Sequence, residues 1–180
     1  MNSQAYLKAL GFKFGKSGAH TSRSMMIEEL KILLFGRPEN ATLKDYREDI
    51  EVFNVLQKPS ENARKYSFQP LASMYGLSPD IFLFKVFRDW WELHEGSQPI
   101  LALQLAVARD PLLRSSAEVI LSLEPGQHLA REMMETFLSK DDPERFSKAS
   151  LKSFAQNING TWTQAGYLSE SKEVPRNPRN

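Results

Sequence analysis

Ser60, Asn62, Arg64 and Lys65 follow directly on the turn Lys58-Pro59, and their side chains suit contact with a polyanion. The stretch 54–65, Asn-Val-Leu-Gln-Lys-Pro-Ser-Glu-Asn-Ala-Arg-Lys, reads as a short helix, a tight turn and a second helix. That is the organisation of a helix-turn-helix. A helix N-terminus offers free amides to a phosphate, while Lys and Arg neutralise its neighbours. In the major groove Asn62 can pair with an adenine edge and Arg64 with a guanine edge. The same residues also describe a solvated basic helix start, so the pattern alone leaves both readings open.

A second stretch, 147–168, has the same chemistry over a longer run. Leu151, Phe154, Ile158 and Trp162 recur on one helical side, and Lys148, Lys152, Gln156 and Asn159 on the other. The run contains no acid, whereas an ordinary surface helix mixes acids in. A winged-helix fold would follow it with a hairpin. Here Gly166-Tyr167-Leu168 leaves room for a rudimentary wing only.

Other motifs carry less. Gly15-Lys16-Ser17 resembles the end of a phosphate-binding loop, but position 10 is Leu10 where that motif needs glycine, and no strand precedes it. His20, His94 and His128 form no ligand-spaced pair, and no nucleophile elbow occurs. Without cysteine there are no disulfides, thiolate nucleophiles or cysteine-bound zinc. The sequence calls for no cofactor, no metal and no catalytic residue.

The chain has 180 residues, room for one domain or two small ones sharing a core. Its 41% hydrophobic and 25% charged content is that of a folded protein. The net charge of +1 hides an uneven distribution. Lys8, Lys13, Lys16 and Arg23 stand without an acid in 1–27, and Arg145, Lys148 and Lys152 without one in 145–169. Between them, 110–144 holds three cations against eight acids. No signal-like start and no apolar run of bilayer length is present, so the expectation is a cytoplasmic protein with no membrane partner.

These residues must be held by helices, because no run alternates with period two. All-α is the expected fold class. Ser22 is expected to cap a helix burying Met26, Ile27, Leu30, Leu33 and Leu34; Thr42 with Asp45 forms a capping box for one burying Leu43, Tyr46, Ile50 and Phe53. Ser60 opens a helix to Tyr75. Ser78-Pro79-Asp80 opens an aromatic helix, apolar nearly all round, that should cross the core. Gly96-Ser97-Gln98-Pro99 is the best internal boundary, which suggests subdomains 1–96 and 97–168 and a loose tail 169–180, although the aromatic helix can join both halves in one core. Asp110-Pro111 starts a further helix. Another carries Leu129, Met133, Phe137 and Leu138, and the last starts near Ser147 or Ser150.

Taken in order, several of these features resemble the BrxA family, a small component of the BREX bacteriophage-exclusion systems of bacteria. The matching residues are a Gly-x-x-x-Ser-Arg start at 18–23 before a helix ending Leu33-Leu34, the whole 54–65 stretch, and Asp110-Pro111-Leu112-Leu113. Ser-x-x-Ser-Leu-Lys-x-Phe-Ala and Trp-x-x-x-Gly-Tyr-Leu follow within 147–168. Each is weak alone; order and spacing give them specificity. The resemblance implies an all-helical protein of helix-turn-helix character, related in shape to the antitermination factor NusB, that binds double-stranded DNA without catalysis. It implies other BREX proteins as partners, which carry the enzymatic work, and leaves RNA as a minor possibility. Carried across, Lys58, Ser60, Arg64 and Lys65 form one DNA-binding helix start, and Lys148, Lys152 and Gln156 the other; Asn62 and Arg23 are counted with them. The chain departs from the family after Lys65, where Phe68-Gln69-Pro70 replaces further arginines.

The leading expectation is thus a non-catalytic DNA-binding subunit of a phage-defence assembly. The runner-up is an adaptor whose acidic 110–144 region docks a larger protein, and a small hydrolase ranks third.

Overall fold

Asp110 ends one helix and starts the next. Its N–H donates to Ala106 O, and its carboxylate accepts from the amides of Leu112 and Leu113, with Pro111 at the first helical position. The same local chemistry sets most other boundaries in the computed structural model, which describes residues 2–16, 18–124 and 127–169. Nine α-helices occur among them: α1 (Ser3–Leu10), α2 (Ile27–Leu34), α3 (Leu43–Glu51), α4 (Glu61–Tyr75), α5 (Phe82–Trp91), α6 (Gln98–Arg109), α7 (Pro111–Ile120), α8 (Arg131–Ser139) and α9 (Lys148–Gln164). Short 3-10 turns stand at Ala19–Thr21 and Glu95–Ser97. No strand is present among the described residues, so the all-α class holds. No helix there is long and apolar enough to cross a membrane.

The expected caps at Thr42, Ser60, Asp110 and Ser147 are all formed, Thr42 with Asp45 as a reciprocal box. Two others are not. Ser22 donates its hydroxyl to Ala19 O, closing the 3-10 turn, and α2 starts after Met26, which takes a left-handed conformation so that it and Met25 enter the core. Ser78-Pro79-Asp80 forms a turn, Ile81 N–H donating to Ser78 O, and α5 begins only at Phe82.

One hydrophobic cluster joins residues from both sides of position 96. Leu30, Leu33 and Leu34 of α2 belong to it together with Tyr46 and Ile50 of α3, Phe68, Leu71 and Met74 of α4, Ala102 and Ala106 of α6, and Ile158 of α9. Each of these buried side chains larger than alanine contributes about 2 kcal/mol of transfer free energy. Tyr75, Phe84, Phe87 and Trp91 form an aromatic chain along α5, with centroids 4.9–6.2 Å apart. Yet α5 is not apolar all round in effect. Phe82, Val86 and Trp90 face outward, so the helix lies at the margin of the core. Phe53, expected inward with α3, is exposed because the helix ends at Glu51 and the chain turns away. The loose tail expected at 169–180 lies, Ser169 apart, outside the described residues, as do Pro125 and Gly126 of the expected turn.

Candidate nucleic-acid interface

The 54–65 stretch does not form a helix, a tight turn and a helix. Residues 52–60 make a nine-residue connection between α3 and α4, against the three or four residues of a helix-turn-helix turn. Asn54 takes a left-handed φ of 51°, and its side chain accepts from Lys58 N–H and donates to Lys58 O. That clamp orders the loop without helical turns, which is why the short helix expected there is missing.

Charge at the start of α4 is largely consumed within the chain. Lys58 Nζ lies 3.1 Å from Glu29 Oε1, and Lys65 Nζ 2.5 Å from Glu61 Oε1. The Lys65 pair holds its ammonium above, and the Glu61 carboxyl below, their ordinary values through their mutual hydrogen bond. Ser60 Oγ accepts from Ala63 N–H as a cap, and half-buried Arg64 reaches Val52 O at 3.5 Å. Asn62 is exposed. This site is correctly a helix start, but it is not a free cationic patch.

The start of α9 differs. Ser147 Oγ accepts from Ser150 N–H, and the 17-residue helix that follows has no acid. Ala155, Ile158, Thr161 and Trp162 are buried, and Trp162 Nε1 donates to Ser116 Oγ at 2.8 Å. Lys148, Lys152 and Gln156 are exposed and make no ion pair among the described residues. Asn159, expected beside them, instead donates to Leu129 O, so the polar face is narrower than the sequence spacing implies. Lys16 joins this end: Arg145, its guanidinium 4.4 Å above the Phe146 ring, donates to Lys16 O and ties the N-terminal arm to the helix start. Lys16 and Arg145 share the lining of a depression with Glu118, Asp141 and Asp142, and there the basic surface ends.

Between α4 and α9 sits the turn Ala19–Thr21, packed on both. Asn157 of α9 donates to His20 O, and Ser24 lies against Gly160. Arg23 is exposed on this bridge, its side chain reaching only Ser22 O among the described residues. The arm before and after Arg23 thus meets α9 near Asn157 and Gly160, five to twelve residues along the helix from Lys152 and Lys148, and α4 near Gln69, eight residues from its start at Glu61. Lys148 and Lys152 form a cationic pair one turn apart on α9, and the α4 start is a separate group.

No motif in the sequence announces the role of His20. Its Nδ1 lies 2.8 Å from Asp110 Oδ2 and its Nε2 2.8 Å from Thr161 Oγ1, all three side chains sealed from solvent. Acid, imidazole and hydroxyl stand in the order of a hydrolytic triad. Thr161 Oγ1, however, donates to Asn157 O, and no substrate can reach it. The line is a structural tie. No group of three or more potential metal ligands occurs among the described residues.

No protein-family model matches the chain, and no curated protein matches it.

Proposed function

We propose that the protein is a non-catalytic, largely sequence-independent double-stranded DNA-binding subunit, and, on the BrxA resemblance, that it serves a BREX phage-defence assembly. The observation that carries the reading is the α9 face: Lys148 and Lys152, exposed and unpaired among the described residues, on a helix without acids. Such cations gain by displacing the counterions condensed on duplex phosphates. Gln156 and Arg23 extend the contact with neutral and cationic donors. Ion-paired Lys58 and Lys65 contribute less, since each must exchange a carboxylate for a phosphate. With so few free cations, affinity falls in the micromolar range of non-specific binding. The test is the Lys148→Ala/Lys152→Ala double variant, checked for folding by circular dichroism. Weaker duplex binding with a flatter salt dependence supports the reading, and unchanged affinity refutes it.

One observation favours the adaptor as a second reading. Val86, Trp90 and Leu93 of the α5 region and Ile100 of α6 border an apolar groove of about 550 Å³. The acidic region proposed for docking is less available, since Glu118 pairs with Lys140 and Glu132 and Glu135 with Arg131. Recovery of one stoichiometric partner despite nuclease, abolished in Trp90→Ser, favours the adaptor; nuclease-sensitive recovery favours DNA.

A further inference from the structure

Arg109 is 6% exposed, yet its guanidinium makes one hydrogen bond, from Nη1 to Gly11 O at 2.8 Å. Its Nε is buried without a partner, and it forms no ion pair among the described residues. A buried charge in that condition is costly unless an anion completes it. Close packing holds it in place, since a Cβ built on Gly76 would lie 3.1 Å from Arg109 Cζ.

Arg109 lines a pocket of about 440 Å³ between the N-terminal arm and α4. Lys13 and Gln69 also line it, and no carboxylate does among the described residues. Lys13 Nζ is tethered to neutral acceptors, Ser73 O at 3.0 Å and Ser73 Oγ at 3.2 Å. Burial lowers the proton affinity of Lys13, and the charge of Arg109 lowers it further, with Asp110 opposing. Asp110 acts on them only at a distance and forms no ion pair with either among the described residues. Its Oδ1 accepts from the Leu112 and Leu113 amides, and its Oδ2 faces the His20 N–H and imidazole.

We propose that this pocket binds a phosphate group, with Arg109 and Lys13 as its charged partners and the Gln69 amide on its rim. A guanidinium-bearing and an ammonium-bearing residue in one lining match a tetrahedral oxyanion that presents several acceptors and no competing donor. The pocket includes Thr21 and Ser22, so it abuts Arg23 on the bridge to α9. Its phosphate therefore comes either from a duplex backbone or from a free phosphorylated molecule. The first source rests on the DNA-binding reading; the pocket itself does not.

The experiment titrates the full chain with inorganic phosphate at constant ionic strength, by calorimetry, and with a short DNA duplex in parallel. Wild type and Lys13→Gln are compared, with circular dichroism as the folding control. Saturable phosphate binding, weakened about tenfold or more in Lys13→Gln, supports the pocket. A parallel loss of duplex affinity assigns the phosphate to DNA; unchanged duplex affinity assigns it to a free ligand. In wild type alone, phosphate should also slow acetylation of Lys13 by acetic anhydride relative to exposed Lys8, read by mass spectrometry. Absence of saturable phosphate binding and of Lys13 protection, with duplex affinity unaltered in Lys13→Gln, overturns the proposal. Phosphate binding that persists when no variant binds duplex removes the DNA reading and leaves the pocket standing.

Discussion

His20 and Asp110, ninety positions apart, meet through a 2.8 Å contact between Nδ1 and Oδ2 at the centre of the molecule. Through Thr161 the same imidazole reaches α9, so one ring joins the N-terminal arm, the α6–α7 junction and the proposed DNA-binding helix. The tie thus adds a directional polar constraint on α9 to the burial of its apolar side.

Asp110→Asn removes the charge and one of the acceptors that the carboxylate offers to His20 and to two amides. The expected cost is about 3 kcal/mol, read as a lowered urea midpoint. The wild type should show a matching acid sensitivity. Burial pushes the Asp110 carboxyl up, but hydrogen bonding and proximity to His20, with its backbone and the Leu113 amide, outweigh this and leave it below the ordinary value. A depressed carboxyl stabilises the fold fully above its unfolded value near pH 4, and this stabilisation fades as pH falls through the lower folded value. Urea midpoints taken down through that window should fall more steeply for wild type than for Asp110→Asn.

Signals that act within a few residues were legible: Thr42 with Asp45, Ser60, Asp110-Pro111 and Ser147 each begin their helix as the sequence predicts. What escaped was set by distant partners. The Lys58 pair with Glu29, the Asn159 bond to Leu129 and the His20 tie span 29, 30 and 90 positions, and no local spacing announces them. The start of α5 slipped because Ser78-Pro79 satisfies a turn as readily as a cap. At the site, periodicity locates the exposed lysines of α9, and the i, i+4 spacing of Glu61 and Lys65 announces their pair, but nothing local announces that Lys58 of the preceding connection meets Glu29.

Two glycines separate steric need from accident. A Cβ at Gly18 would overlap Asp110 Oδ1, inside the buried tie, so Gly18→Ala must displace that carboxylate. A loss of about 3 kcal/mol is expected. Gly160, in the interior of α9, meets only Ser24 Cβ at 3.9 Å. There Ala lowers the entropy cost of folding, and Gly160→Ala should gain about 1 kcal/mol. Thermal unfolding of both variants beside wild type checks the opposite signs.

The tryptophan pair divides between inside and outside. Trp91 is 3% exposed and packs on Phe87, whereas Trp90 is 59% exposed. Trp91→Ala should cost about 3–5 kcal/mol through the cavity it leaves, and Trp90→Ser within about 0.5 kcal/mol. Fluorescence gives an independent reading. Trp90→Phe removes the wettest indole and shifts emission to shorter wavelength; Trp91→Phe shifts it to longer.

The two basic helix starts should differ on DNA. Lys148 and Lys152 have no carboxylate partner among the described residues, so they can meet phosphates without breaking a bond. Arg64 and Lys65 differ: Lys65 is already bound to Glu61, and Arg64 is half-buried against Val52 O. Removing both α9 lysines should flatten the slope of log affinity against log salt by about 2, because each phosphate left without its cation lowers that slope by about 0.9. Arg64→Ala/Lys65→Ala should flatten it by less than about 1, because Lys65 paired with Glu61 and half-buried Arg64 have fewer phosphate contacts to lose. Fluorescence anisotropy with a labelled duplex over a range of salt concentrations resolves the two slopes. Equal slopes for both double variants would mean that duplex phosphates compete successfully for Lys65, making the α4 start a full contact surface after all.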